Sequence, residues 1–475
     1  MYTCIIGVMR PAQTRFRLLI FLSTLLFIGL GTYLVIRYAK GDRLGQSGIV
    51  KGTGLLSANS FPTGAEVYIN GKLTTATDNT LNLDPGEYQL EIKKDGYHTW
   101  NKRLTITKEL VTQTNARLFP VSPTLEPLTY TGAINAIPSP DGTSLAYVVA
   151  SASAGTKNGL YVQDLTSSPI SLNKSARQIS REGGGYSYAN SHYTWSPNGS
   201  EILVAFENGD HLLLDSTRFN DPTELKDVTV RLPQILSEWE LELARTDLTR
   251  LTKLPDFFQG LATESSILTN LYFSPDGEKL LYQALSNLEI PVGLIPSLPS
   301  SSSQPETRQL SPGNWYVYDL KEDKNFLIAE GSAPSPSPSQ TPKTKSNLVQ
   351  LSPVLQKTTL LSNLEPLPAE LISSPSAFHT LQQDGNLTNT LARFNAQYSS
   401  MTVGSLQWYP DSIHLIITTE QNIVLIEYDN TNTTTVYAGP FDHTFVTPWP
   451  DYSKIVTRIQ FSPDTPPNLY TIKLR

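Results

Sequence analysis

Between Pro140 and Thr457 one short pattern recurs five times, and it constrains the fold more than any other feature of the chain. A proline precedes an Asp or Asn, and an apolar run begins four residues after that Asp or Asn. The copies are Pro140-Asp141-Gly142 with Leu145-Ala146-Tyr147, Pro197-Asn198-Gly199 with Ile202-Leu203-Val204, and Pro275-Asp276-Gly277 with Leu280-Leu281-Tyr282. Pro410-Asp411 with Leu415-Ile416-Ile417 and Pro450-Asp451 with Ile455-Val456-Thr457 complete the set. Proline presets the turn backbone, the Asp or Asn side chain accepts from nearby amides, and glycine takes positive φ. Each copy is answered by a second strand, as in Leu160-Tyr161-Val162-Gln163-Asp164 and Leu212-Leu213-Leu214-Asp215. One unit is therefore an antiparallel meander. A meander cannot bury both of its faces alone, so successive units stack around an axis, which is a β-propeller.

The 475 residues are enough for several domains. A second feature lies at the N-terminus, where Leu18 to Ile36 carries no charge and as a helix reaches about 28 Å against a hydrocarbon core of roughly 30 Å. The run is long for a signal-peptide core, and Tyr33-Leu34-Val35-Ile36-Arg37 is a poor cleavage context. A retained single-pass anchor through the lipid bilayer is expected at 18–36, with 1–17 cytoplasmic, 37–51 a linker and the C-terminal bulk extracytoplasmic. Arg10, Arg15 and Arg17 before the run and Arg37, Lys40 and Arg43 after it give the positive-inside rule only a slight preference. The orientation rests on all foldable sequence lying beyond Ile36.

From 52 to 119 short alternating strands are divided by turns. Glu66-Val67-Tyr68-Ile69 ends at Asn70-Gly71, which closes a two-residue hairpin, and Leu83-Asp84-Pro85-Gly86 and Lys94-Asp95-Gly96 repeat the scheme. Alternating burial makes a small β-sandwich. The segment resembles the PEGA domain through Pro62, Thr63, Gly64 and Ala65, the hairpin at Asn70 and Gly71, Pro85 and Gly86, and Gly96 with Tyr97. Thr63 stands where that signature has Glu, and Thr74-Thr75 where it has Thr-Pro. The resemblance implies a prokaryotic surface-associated β module with no catalytic role.

The repeat at 125–475 resembles the TolB-type, WD40-like propeller repeat, an aromatic followed by Ser-Pro-Asp-Gly and an apolar strand. Its residues are Asp141, Gly142, Asn198, Gly199, Asp276, Gly277, Asp411 and Asp451, all read as structural. Phe461-Ser462-Pro463-Asp464 fails the offset, because Asn468 occupies the apolar place, and is expected to be a loop in the last blade. The fold class is all-β: an N-terminal transmembrane helix, a small sandwich, and a propeller of about six blades. A helical insertion at 232–256 is expected to lie over one face, and Pro/Ser-rich loops at 297–312 and 331–346 are expected to stay disordered. A further cryptic blade is read at 348–397.

Chemistry is sparse. A formal charge of −7 disfavours nucleic acid as a partner. Cys4 is the one cysteine, so no intrachain disulfide or Cys-based metal site can form, and the six histidines show no ligand spacing. No catalytic, cofactor-binding or metal-ligating residue is expected. Gly185-Tyr186-Ser187-Tyr188-Ala189 lacks the second glycine of a nucleophile elbow. The repeated Asp residues serve turns, since an axial active site occurs once and not in every blade. Trp195, Trp315, Trp408 and Trp449 read as packing residues. The glycine-flanked stretch from Gly185 to Tyr193 could present Tyr186 and Tyr188 to a partner.

The expected function is a non-enzymatic, membrane-anchored binding or scaffold protein of the cell envelope that recognises a protein, peptide or glycan. Two alternatives stand beside it: a glycan hydrolase or lyase with carboxylates unique to single blades converging on the axis, and a structural surface-layer spacer.

Overall fold

The computed structural model describes residues 11–39, 42–44, 50–166, 176–263, 267–296, 302–331 and 406–475. The chain is mostly strand, with a few helices. Helix α1, Pro11–Ala39, contains the apolar stretch Phe16–Ile36, whose side chains are all exposed. Within it the Thr24 hydroxyl is satisfied locally, donating to the Ile20 carbonyl at 2.8 Å. By length and composition this helix can cross a bilayer.

The chain divides into two compact units. The first is a small β fold. Glu66–Ile69 lies between Lys72–Ala76 and Gly86–Lys93, with Trp100–Ile106 beyond, and a second sheet places Gly54–Ala58 between Val111–Gln113 and Asn79–Leu83. Alternation buries Leu56, Val67, Leu90, Ile92, Leu104 and Ile106. Gly96, Tyr97 and His98 group with the second unit, where the His98 amide donates to the Phe119 carbonyl.

Among the described residues the second unit contains five antiparallel sheets of three or four strands, in chain order. Sheet A is Ile134–Pro138, Ser144–Val149, Gly159–Asp164 and Arg177–Arg181; sheet B is His192–Trp195, Glu201–Ala205 and His211–Asp215. Sheet C is Leu268–Phe273, Lys279–Ala284, Trp315–Asp319 and Lys324–Ala329; sheet D is Leu406–Trp408, His414–Thr418, Asn422–Glu427 and Thr434–Ala438. Sheet E is Val446–Pro448, Lys454–Ile459 and Asn468–Lys473, and its outer strand is Leu125–Pro127, from the start of the unit.

Central strands such as Ser144–Val149 and Glu201–Ala205 are apolar on both faces, and the two faces meet different neighbours. In sheet A, Leu145, Tyr147 and Val149 pack on Trp449, Val456 and Leu469 of sheet E, while Ala146 and Val148 pack on Trp195, Ile202 and Val204 of sheet B. Sheets D and E meet through Ile416, Leu425, Ile455 and Ile472, and sheets C and D through Leu281, Val317, Trp408 and Leu415. The sheets thus follow one another face to face, as propeller blades do.

The seam between sheets B and C is filled differently. Helix α2, Leu232–Leu251, sets Leu232, Ile235, Leu236 and Trp239 against Leu203 and Ala205 of sheet B. Helix α3, Asp256–Thr263, sets Phe258 and Leu261 against Leu280, Tyr282 and Tyr316 of sheet C, and Leu251 at the end of α2 joins that cluster. The insertion expected to cover a face of the disc instead stands between two blades. The reason is visible in sheet B, whose Leu203 and Ala205 face would otherwise be wet.

Part of the Pro/Ser-rich stretch 297–312, expected to be disordered, is structured. Gln309–Leu310 pairs with Leu288–Glu289, and Leu310 is buried in the sheet C cluster. Arg308 Nη1 holds it by donating to the Pro291 carbonyl at 2.7 Å, and Asn325 Nδ2 by donating to the Thr307 carbonyl at 2.6 Å. The cryptic blade read at 348–397 and the loop read at 332–346 lie outside the described residues.

Candidate functional site

The repeated turn owes its shape to serine as much as to Asp. Ser139, Ser196 and Ser274 each donate a hydroxyl hydrogen bond to the Asp or Asn two residues on, at 2.6, 2.9 and 2.5 Å. Each hydroxyl also accepts the amide five residues on, from Ser144, Glu201 and Lys279. Asp141, Asn198 and Asp276 then accept the amides of Thr143, Ser200 and Glu278, so these side chains are occupied by the turn. Gly142, Gly199 and Gly277 follow at φ of 68°, 71° and 71°. In the last two copies Tyr409 and Trp449 replace the serine, and Ser412 and Tyr452 take the left-handed position. There Asp411 accepts from the Ile413 and His414 amides and from His414 Nδ1, and Asp451 from the Ser453 amide and hydroxyl.

The first strands of the sheets are tied to one another. The Trp195 indole donates to the Ile137 carbonyl of sheet A at 3.1 Å, and the Trp408 indole to the Tyr272 carbonyl of sheet C at 3.0 Å. The Tyr193 hydroxyl donates to the Asn135 carbonyl. Burial pushes the Tyr193 hydroxyl well above its ordinary pKa, against the opposing pull of Arg458, so it stays a neutral donor.

Where the first strands of sheets A and B meet sheet E, they line an open cavity of about 270 Å³. Asn135, Ala136 and Ile137 line it from sheet A, His192 and Tyr193 from sheet B with Ser191 just before them, and Arg458 from sheet E with Thr444 and Phe445 just before its first strand. Asn135, His192 and Thr444 are exposed, whereas Tyr193 and Phe445 are 1% and 8% exposed and form the wall. Arg458 Nε donates to Asp442 Oδ2 at 2.8 Å, and Nη2 reaches the same oxygen. The Thr444 hydroxyl donates to Asp442 Oδ1 at 2.5 Å. Half-burial alone would raise the Asp442 carboxyl, but Thr444 and Arg458 hold it below its ordinary value. The lining contains an arginine and a tyrosine but no Asp or Glu among the described residues, so it lacks the two facing carboxylates of glycoside cleavage.

None of these lining residues stands out in the sequence alone. The repeat nevertheless marks the position: Asn135, His192 and Asn270 each precede the turn Asp or Asn of their sheet by the same interval, at the start of the first strand. Asn135 and Asn270 share φ of 51° and 54° at matching bulges.

Of Tyr186 and Tyr188, both read as partner contacts, Tyr188 is not available to a partner, whereas Tyr186 is half-buried. Tyr188 is fully buried, its hydroxyl donating to Ser180 Oγ at 2.7 Å, and burial pushes that hydroxyl up to about 12. Tyr186 lies against Phe206 with ring centres 4.7 Å apart. The bridge between Gly183 and Tyr186 turns the loop back on itself and drives both rings into the seam between sheets A and B.

In the first unit the turn residues are equally structural. Asn70 and Gly71 have φ of 49° and 77°, the two positive values of a tight hairpin, and Asn70 Oδ1 accepts the Gln89 amide at 2.9 Å. The Thr77 hydroxyl accepts the Ala65 amide at 2.9 Å and the Ser60 hydroxyl at 2.8 Å beneath the Pro62–Ala65 turn. Residues 53–122 match the PEGA domain. Within this segment Lys94 Nζ donates to the Thr63 carbonyl at 2.9 Å. Pro85 precedes the strand that begins at Gly86, and Tyr97 bridges to Pro120.

No curated protein matches the chain. Among solved structures, a TolB from Agrobacterium tumefaciens is similar at 11% identity and a TM-score of 0.21, over 75% of this chain and 80% of that one. TolB from Acinetobacter baumannii is similar at 10% identity and a TM-score of 0.20, over 81% of this chain and 59% of that one. The ring beyond the PEGA domain is read from its own strand pairings and clusters.

Proposed function

We propose that this is a membrane-anchored, extracytoplasmic binding or scaffold protein, which recognises a partner at the cavity between sheets A, B and E. The observation that supports this most directly is the cavity itself: exposed Asn135, His192 and Thr444 stand over a wall of buried Tyr193 and Phe445. Turn residues that recur in every sheet are consumed by their own backbone, so the polar groups that differ between sheets are those left to recognise something. Helix α1 supplies the tether, with the N-terminus cytoplasmic. The partner is an envelope protein, a peptide or a glycan, and no bond is broken.

A photo-crosslinking residue placed at position 192 in the full chain tests the site in producing cells, with the same residue at 178, on the outer strand of sheet A, as control. Discrete adducts from 192 and none from 178 are expected; equal adducts from both positions overturn the assignment. Protease added to intact cells should digest the ring, and extraction of the chain without detergent would refute the anchor.

A further inference from the structure

We infer that the cavity between sheets A, B and E takes a carboxylate carried by a peptide, either a chain terminus or an Asp or Glu side chain. This rests on the binding role proposed above and names the chemistry of that site.

The inference follows from which polar atoms remain available. The Tyr193, Ser191 and Thr444 hydroxyls already donate inward, to the Asn135 carbonyl, the Tyr188 carbonyl and Asp442. Arg458 uses Nε and Nη2 on Asp442 Oδ2, which leaves Nη1. His192 and the Asn135 amide are exposed in the lining. Three residues with donors thus line the cavity from three sheets, one of them a guanidinium, and no carboxylate is among the described lining residues. A guanidinium N–H with an imidazole and an amide is a donor set suited to a carboxylate.

Two observations weigh against a sugar. Recognition of a sugar ring uses an exposed aromatic face, and here Tyr193 and Phe445 are buried in the wall. The volume, about 270 Å³, is below the roughly 300 to 1,000 Å³ of sites that enclose whole small molecules, and suits one side chain or chain end.

Asp442 gives the inference a sign. It is ion-paired with Arg458, so Asp442→Asn should strengthen binding of an anion and weaken binding of a cation. The test uses the full chain in detergent micelles and four fluorescein-labelled probes: tetra-alanine with a free C-terminus, its amide, Ala-Ala-Glu-Ala-Ala amide, and the same peptide with Gln for Glu. Charge-assisted hydrogen bonds make about a tenfold preference for the carboxylate member of at least one pair the expected result. The pair that discriminates identifies the source of the carboxylate.

His192→Ala and Asn135→Gly should each weaken that binding several-fold; glycine keeps the positive φ at 135. Equal binding within both pairs, weaker binding by Asp442→Asn with an unchanged urea midpoint, or a preference for maltohexaose over every peptide overturns the inference. If crosslinks from position 192 persist while no pair discriminates, the carboxylate assignment fails and the binding role stands; if both results are negative, both fail.

Discussion

Thr129 and Asn468, separated by 339 residues, are bound to each other: the Thr129 hydroxyl donates to Asn468 Oδ1 at 3.0 Å. The same oxygen accepts the Gly132 amide at 3.0 Å, and the Thr129 hydroxyl accepts the Leu469 amide at 2.9 Å. This contact fastens Leu125–Pro127 as the outer strand of sheet E, so the first strand of the ring completes its last sheet. A ring closed this way leaves no long edge open at the junction.

Asn468→Ala removes one acceptor from two donors, so we expect a loss of about 2 kcal/mol. Asn468→Asp keeps the acceptor and should lose less. Urea unfolding followed by tryptophan fluorescence checks both, and equal midpoints for wild type and Asn468→Ala would remove the closing role.

The indole bonds make a second prediction. Trp195→Phe and Trp408→Phe each lose one hydrogen bond to a neighbouring sheet and some packed volume, at a cost of about 2 kcal/mol each. The two bonds lie on different seams, A–B and C–D, and share no partner. The double variant should therefore lose the sum to within about 0.5 kcal/mol. Denaturant midpoints of the two singles and the double measure this, and strong coupling would mean that the ring transmits strain between seams.

The five turns are legible in the sequence because proline, Asp and glycine each have one backbone job and the interval to the next strand is fixed. The serine before that proline was legible too, yet its second bond, from the amide five residues on, depends on the turn being closed. What composition could not show is which face of a strand lacks a sheet to cover it. Leu203 and Ala205 look like any strand residues, and only their contact with Trp239 shows that a helix replaces a blade at that seam. Tyr188 misled for a related reason: glycine neighbours imply a free loop, but the loop folds back at the Gly183–Tyr186 bridge and the Tyr188 ring is buried. The lining of the cavity was hidden because it varies between sheets, and a repeat is recognised by what stays constant.

Helix α2 holds its seam chiefly through Trp239, which is buried against Leu203 and Ala205. Trp239→Ala should cost about 3 to 5 kcal/mol. The loss should be local before it is global: amide exchange in Glu201–Ala205 and His211–Asp215 should quicken more than in sheet E, on the far side of sheet A. Uniform quickening across all five sheets would mean that the helices are not an independent wedge.

The Asp411–His414 pair gives a pH dependence with a definite sign. His414 is buried, with Nδ1 on Asp411 Oδ2 at 2.8 Å, Phe119 edge-on at 5.1 Å, and Nε2 4.0 Å from Glu427 Oε1. Burial alone would raise the Asp411 carboxyl, but the His414 ring and the His414 and Ile413 amides outweigh it and bring it from an ordinary 3.8 to about 2. A carboxyl that is lower in the folded chain than in the unfolded one contributes stability above the unfolded value, and that contribution disappears as pH falls from about 4 through about 2. The shift corresponds to about 2 kcal/mol. Asp411→Asn should therefore be less stable than wild type at pH 7, and the difference should narrow steadily between pH 4 and pH 2, because acid removes from the wild type what the substitution has already removed. Urea midpoints measured from pH 2 to pH 7 on both proteins decide it. A gap that stays constant across that range would mean that Asp411 acts only through its turn amides, which an asparagine oxygen also accepts, and not through the charge beside His414.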